Sequence, residues 1–394
     1  MTGSTPGNVP DGLFLPKLEK TVSTAAKSLG KRGGVILQAA ALNQAIIFSI
    51  AAGGLDLGTS QISSEDAFEV ASVTKMVTAT VVMQLADEGL LHLNETLGQV
   101  AEGQVAKTLL EHVPRWSAER LSVTIAQMLQ HTSGLPNFWK NGTPFIKAFE
   151  ADPNKVWTVW ELLGYAADMP ESCSTTVRGL PNGFTYADTN YLLLGLILET
   201  VTKSSLPAIY RRRVFDPAGM SSEGTYCSFL EERPANAPPL ASRFLGSLQI
   251  TGKLQHSADS FAAGGIVSTT TDLQKFMAAL AKGELFPVGQ MATLDKMMSW
   301  IPAKRGPGFS YGLGLMRVDL DAQSGLLTRL FSKQKPRGYI WGHEGFGGAF
   351  AWCWVPGHGR PNVIITGTTN NEARAYGMLI EQLVDELGTQ DVYA

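Results

Sequence analysis

The sequence predicts an α/β protein with an antiparallel sheet built from both ends of the chain, flanked by helices, and a mostly helical region inserted between the two sheet-forming parts. Three observations carry this. Near the start, two runs rich in β-branched and apolar residues, Gly34 to Gln38 and Ala45 to Ala51, have the composition of paired strands. From Tyr311 onward strand signals return, at Leu313 to Val318, Leu326 to Phe331, Gly338 to Trp341, Ala349 to Val355 and Asn362 to Gly367. Between these ends, residues 90 to 250 read as helices joined by Gly/Pro turns and give no strand signal.

Taken in order, the chain opens with a short amphipathic helix near Leu18 to Leu29, followed by the first strand pair. From Ser72 to Leu90 the pattern SVTKMVTATVVMQLADEGL is apolar on nearly every face, which is the signature of a helix buried inside a protein and places it at the centre of the fold. The inserted region carries helical patterns at Val123 to Gln130, Val156 to Ala167 and Asn190 to Val201, and the chain closes on a helix from Asn371 to Leu387. At 394 residues the chain exceeds the usual size of one hydrophobic core. The expected division is a sheet domain from residues 1–70 and 255–394 and a mostly helical domain from 71–254, with the active site at their interface.

Hydrophobic content of 44%, charged content of 17% and a formal net charge of -3 suit a soluble globular protein. Arg211, Arg212 and Arg213 form the one dense basic cluster and read as a solvated helix end, so no nucleic-acid partner is expected. Cys173, Cys227 and Cys353 are odd in number and widely spaced, which argues against a disulfide framework or a zinc site and for reduced thiols. The first twenty residues lack the apolar stretch of a secretory signal, and the longest apolar run, Tyr191 to Leu198, falls far short of the ~20 residues that span a bilayer. A soluble, cytoplasmic protein without a membrane partner is expected. There is no GxSxG elbow, P-loop, GxGxxG or HExxH pattern, and His343-Glu344 lacks the second histidine of a zinc peptidase. Neither a metal nor an organic cofactor is indicated.

Three segments carry chemistry. In Ala71-Ser72-Val73-Thr74-Lys75, a serine opening a helix lies near the positive end of the helix dipole, and Lys75 shares its helix face one turn on. Desolvation in an apolar helix is expected to lower the Lys75 pKa, so that a neutral amine takes the serine proton. The same SxxK spacing occurs at Ser28 and Ser332, but only Ser72 heads a long apolar helix, and Ser72 alone reads equally well as a helix cap. In Thr185-Tyr186-Ala187-Asp188, a polar turn before the helix YLLLGLILETV, Tyr186 can relay a proton and Asp188 can accept a hydrogen bond from Lys75; a capped helix with a packing tyrosine has the same pattern. In Trp341-Gly342-His343-Glu344-Gly345-Phe346, glycines at a strand end let backbone approach a ligand, and strand-end amides can bind an oxyanion; a histidine beside glycines is also common as a structural residue.

Taken together and in this order, the segments resemble the serine β-lactamase, penicillin-binding-protein and class C (family VIII) esterase superfamily, whose pattern is SxxK, then YxN or a variant, then KTG or HxG. His131-Thr132-Ser133-Gly134-Leu135 and Ala263-Gly264-Gly265-Ile266-Val267-Ser268-Thr269 are similar to two further stretches of the class C branch. The resemblance implies a β-lactamase/transpeptidase-like fold, with Ser72 as the acylated nucleophile and Lys75 and Tyr186 sharing the base and acid roles. It further implies the backbone amides of Ser72 and Phe346 as the oxyanion hole. Asp188, His343, Gly345, Trp139 and Trp341 are the expected substrate-binding residues, His343 near the substrate's carboxylate or leaving group.

Two departures bear on substrate. Asp188 stands where class C β-lactamases have asparagine, and His343 where they have lysine, which removes the fixed cation that holds a β-lactam carboxylate. With Phe138, Trp139, Trp341 and Phe346 available as aromatic walls, the expected function is a carboxylesterase, lactonase or acyltransferase on a small apolar ester. A D-amino-acid amidase or D-aminopeptidase, with Glu344 or Asp188 binding a free amine, is the alternative, beside a β-lactamase and a catalytically silent scaffold. The partner is therefore a small-molecule ester or amide.

Overall fold

A computed structural model describes residues 14–389 apart from 31–32, 43–45, 59, 141, 153, 171–182, 246–247, 252, 254–256, 259–260, 304, 324–336, 358–359 and 371–373. The expected strand at Leu326 to Phe331, and Cys173, lie outside the described residues. Helix α1 (Phe14–Leu29) precedes a hairpin of β1 (Gly34–Ala41) and β2 (Ile46–Gly53). After the helical middle come β3 (Ile301–Pro302), β4 (Phe309–Tyr311), β5 (Met316–Asp319), β6 (Tyr339–Glu344), β7 (Ala349–Val355) and β8 (Val363–Thr368). These eight strands form one sheet in the order β2-β1-β8-β7-β6-β5-β4-β3, antiparallel at every junction. Strand β1 pairs with β8, Leu37 opposite Gly367, so the first and last strands of the sheet in chain order lie side by side, next to its β2 edge.

Both faces of the sheet are covered, which is why β1, β7 and β8 are apolar almost without alternation. One face carries Leu37, Ile340, Phe350, Trp352 and Ile365 against α1 and the closing helix (Arg374–Thr389). The other carries Ile36, Trp341, Ala351, Cys353 and Ile364 into the main core, where the helix Thr270–Ala281 packs on it. At the centre of that core runs α2 (Thr74–Asp87), buried from Thr74 to Leu85 on every face, as its uninterrupted apolar pattern predicts. It packs against α3 (Asp188–Thr202), whose first ten residues after Asp188 are likewise buried.

Several elements differ from expectation. Helix α2 starts at Thr74, and Ser72 lies in a 3-10 turn, Ala71–Val73, just before it. The helix stops at Asp87 because Gly89 takes a left-handed conformation, φ 71°. The mostly helical region, in which no strand is expected, also contains short strands at Tyr226–Cys227, Phe244–Leu245 and Leu248–Gln249, and the first of these joins Ile266–Ser268 and Phe68–Glu69 in a small sheet. No single described helix is long and apolar enough to cross a membrane.

Candidate active site

The small sheet fixes the start of α2. Phe68–Glu69 pairs with Ile266–Ser268, and the Val70 amide donates to the Ile266 carbonyl at 2.9 Å. Ala71 is then held at φ 46°, a conformation that costs an alanine roughly 1–3 kcal/mol and persists only where surroundings impose it. The turn delivers Ser72 to the mouth of the site, with Lys75 one turn inside. The Lys75 ammonium is fully buried and donates to three acceptors: Ser72 Oγ at 2.9 Å, Asp188 Oδ1 at 2.7 Å and the Ala263 carbonyl at 2.7 Å. Two of these come from distant parts of the chain, and the Ala263 carbonyl had no role in the sequence reading. Its segment runs along the head of α2, where Ala262 accepts from Thr78 and the Ile266 amide donates to Thr74.

Tyr186 completes the group. Its phenol interacts electrostatically with Lys75, and its ring lies 5.1 Å from the Lys75 nitrogen. The sequence reading has desolvation lowering the Lys75 pKa, and here the structure corrects it. Burial does pull the ammonium down, but the carboxylate of Asp188 and the phenol of Tyr186 outweigh it, and the lysine is held above its ordinary value. Burial likewise pushes the Tyr186 phenol up, more than Lys75 draws it down. At rest the site therefore holds an ammonium, a carboxylate partner and a neutral phenol.

The HTSGL stretch acts as a clamp on the Tyr186 segment. The His131 carbonyl accepts from the Thr185 amide at 2.8 Å, and its Nδ1 accepts from the Ala187 amide at 3.2 Å. Asn190 ties the same nitrogen to Ser133, accepting from the Ser133 hydroxyl at 2.6 Å. The imidazole also lies 4.2 Å from the Tyr186 ring, centre to centre. Asn137 is a further positioning residue that sequence reasoning passed over: its Oδ1 accepts from the amides of Asp188 and Trp139, coupling the start of α3 to the aromatic loop.

Strand β6 brings up the third segment. A Cβ on Gly345 would stand 2.2 Å from the Val70 carbonyl oxygen and 3.1 Å from Ala71 Cβ, so only glycine lets this strand end lie against the Ser72 turn. The following amide, that of Phe346, makes no hydrogen bond among the described residues. Phe346 is 38% exposed, and its ring faces that of Trp139 at 6.5 Å, so these two expected wall residues do meet.

Two expected substrate-binding residues do not face the opening. Trp341 lies on the sheet face that enters the main core, beside Cys353, whose thiol burial pushes up to about 12. His343 is buried with both ring nitrogens engaged: Nδ1 donates to the Glu344 carbonyl at 2.5 Å, and Nε2 faces the Tyr311 hydroxyl at 3.1 Å. Burial first, and Lys75 second, hold His343 well below the usual histidine range, and the same two causes act on His131. Both are neutral in the fold and take up protons when it opens. Because the unfolded chain binds these protons and the native one does not, stability is present above the unfolded histidine pKa of about 6.5 and is lost as pH falls below it. The slope is about 1.4 kcal/mol per pH unit for each histidine. Denaturant unfolding at pH 7.5 and 5.5 is expected to show this loss, and a His343→Gln variant a smaller one; an equal loss in that variant would rule His343 out as a contributor.

A sheet of this topology, with a serine at the head of a buried central helix, a lysine one turn on and a tyrosine at the start of a neighbouring helix, defines a serine hydrolase of the β-lactamase fold. The chain belongs to the beta-lactamase family, whose model matches residues 19–383. Among curated relatives it is similar to penicillin-binding protein 4 of Amycolatopsis lactamdurans, 28% identical over 186 residues, 45% of this chain and 42% of that one. It is also similar to lovastatin esterase of Penicillium rubens, 25% identical over 277 residues, 66% of this chain and 67% of that one. The chain spans about half the length of most of the curated relatives it matches. A solved D-amino acid amidase from Ochrobactrum anthropi SV3 shares the fold at a TM-score of 0.72 and 19% identity, covering 94% of this chain and 98% of that one. EstCE1, a hydrolase with promiscuous acyltransferase activity, does so at 0.68 and 18%, covering 95% and 99%.

Proposed function

We propose that the protein is a carboxylesterase or lactonase that acylates Ser72 with a small, uncharged, largely apolar ester and releases the acyl group to water or to an alcohol. The observation that carries this reading is the pairing of charge around the site. Lys75 is paired with Asp188, Arg243 with Glu69 at 2.9 Å and Arg305 with Glu344, while His343 is buried and neutral. A substrate carboxylate, such as that of a β-lactam, meets no uncompensated cation among these groups, and a substrate amine meets no uncompensated anion. Trp139 and Phe346 offer an aromatic surface beside the serine.

In this mechanism Ser72 Oγ attacks the ester carbonyl, Lys75 and Tyr186 share the transfer of its proton to the leaving oxygen, and the amides of Ser72 and Phe346 hold the oxyanion. The phenol of Tyr186, neutral at rest, is the group suited to protonate the leaving alkoxide. An amidase is the second reading, favoured by the part of Asp188 that remains exposed, 19% of its side chain. A cytoplasmic location belongs to the proposal; the two described cysteines, free and buried, suit it.

The test mixes wild type and Ser72→Ala with a short p-nitrophenyl ester and follows intact mass and nitrophenol release. Wild type is expected to gain one acyl group and Ser72→Ala none. An adduct that survives in Ser72→Ala would move the nucleophile elsewhere, and a matched amide turned over faster than the ester would replace esterase by amidase.

A further inference from the structure

We propose that Asp188 is the proton acceptor for Lys75: when substrate covers the site, the pair passes from ammonium and carboxylate to amine and carboxylic acid, and the amine then accepts the proton of Ser72. The inference rests on the reading of Ser72 as nucleophile and adds to it a destination for the lysine's proton.

Geometry supplies the reason. Of the three partners around Lys75 Nζ, the Asp188 carboxylate and the Ala263 carbonyl can only accept. A neutral amine has two N–H groups and one lone pair. Transfer to Asp188 first leaves the lone pair facing Oδ1; a rotation about the Cε–Nζ bond, with the carboxylic proton turned away about its C–O bond, then sets the two N–H groups on Oδ1 and the Ala263 carbonyl and the lone pair on Ser72 Oγ, 2.9 Å away. With a third proton, the same nitrogen donates to Ser72 and has nothing with which to deprotonate it. Removing one proton therefore turns Lys75 from donor to base without moving a heavy atom.

That proton needs somewhere to go. The Ala263 carbonyl cannot hold it, whereas Asp188 Oδ1 stands 2.7 Å away. The other titratable groups facing the pair are the phenols of Tyr186, Tyr191 and Tyr311 and the imidazoles of His131 and His343. Burial disfavours the charged form of each of the five. At rest Asp188, the first residue of α3, stands in a 2.7 Å ion pair with the Lys75 ammonium, with 19% of its side chain exposed. A substrate over Asp188 removes its water, and loss of solvent favours a neutral pair over a charged one. An asparagine at this position accepts the same hydrogen bond but takes no proton, so the Asp188 side chain gives this chain a step that an amide side chain cannot perform.

The protons balance. Asp188 takes one from Lys75, and Lys75 takes one from Ser72 as Oγ bonds to the carbonyl carbon. As the tetrahedral intermediate collapses, the bond to the leaving oxygen breaks and that oxygen takes the Tyr186 proton. Lys75 then reprotonates Tyr186, and Asp188 returns its proton to Lys75. The products are the acyl-serine and a neutral alcohol.

The experiment measures single-turnover acylation of Ser72 by p-nitrophenyl acetate between pH 5 and 10 in wild type, Asp188→Asn and Asp188→Glu, with circular dichroism as the check on folding. Asp188→Asn is expected to acylate at least tenfold more slowly at neutral pH and to gain an acidic limb of unit slope, because Lys75 must now lose its proton to water. Asp188→Glu is expected to restore the wild-type shape of the profile. An Asp188→Asn protein with the wild-type rate and profile overturns the proposal. So does one that is slower with an unchanged profile, the behaviour of a lost hydrogen-bond partner. Absence of any adduct on wild type would instead refute the nucleophile itself, and is visible before any Asp188 variant is tested.

Discussion

Lys75→Ala is expected to slow acylation of Ser72 by at least ~10³-fold, within the range of about 10²–10⁴ attributed to a positioned acid or base, with little change in substrate binding. The variant removes the only side-chain nitrogen within hydrogen-bonding distance of Ser72 Oγ among the described contacts, and with it the group through which Asp188 and Tyr186 communicate. It also leaves the Asp188 carboxylate without its counter-ion. Removing one partner of a buried pair costs about 3–5 kcal/mol, and the partial exposure of Asp188 places the expected loss at the low end. Stopped-flow acylation and denaturant unfolding on the same preparation separate the two effects. Lys75→Arg is a sharper test, because it restores positive charge but not a group able to lose a proton at neutral pH. If Lys75→Arg acylates at the wild-type rate, Lys75 serves as a fixed charge and the proton travels by another route.

The sign of the Lys75 shift shows where a sequence stops being informative. Ser72 and Lys75 are three residues apart, so their encounter follows from helix geometry and is legible in the string itself. The counter-ion that reverses the effect of burial lies 113 residues further on, and no local pattern brings it to the lysine. The long apolar runs of α2, α3, β7 and β8 announce themselves for the same local reason. Strands of two or three residues, such as Phe68–Glu69 and Ile266–Ser268, are too short to show any period, yet they hold the Ser72 turn. The helix Thr270–Ala281 left a readable trace that was passed over, since Thr269 accepts from the Asp272 amide as its cap. Trp341 and Phe346 look alike as aromatics beside glycines. What separates them is that Trp341 falls on the core-facing side of β6, whereas Phe346 lies beyond the strand's end, and that distinction needs the sheet to be assembled.

Gly345→Ala is expected to lower kcat by about 10²–10³-fold while leaving the nucleophile, lysine and tyrosine in place, the magnitude of losing one oxyanion donor. The new methyl would need to occupy a point 2.2 Å from the Val70 carbonyl oxygen, and no rotamer or flexible side chain can yield there, because that carbonyl is backbone and the neighbouring Ala71 Cβ has no rotamer to change. The strand end must move away from the Ser72 turn, taking with it the Phe346 amide, while the hydrogen bond of the Gly345 amide to Ala349 resists the movement at 2.7 Å. The loss should fall on kcat more than on KM, because the oxyanion exists only after attack. Gly377→Ala is the matched control: it lies in the closing helix with nothing within 4 Å of the added carbon, so it should leave kcat unchanged and stabilise the helix by up to about 1 kcal/mol. Steady-state kinetics on both variants decide the matter. A Gly345→Ala enzyme with wild-type kcat would mean that the oxyanion is held by groups other than the amide at the end of β6.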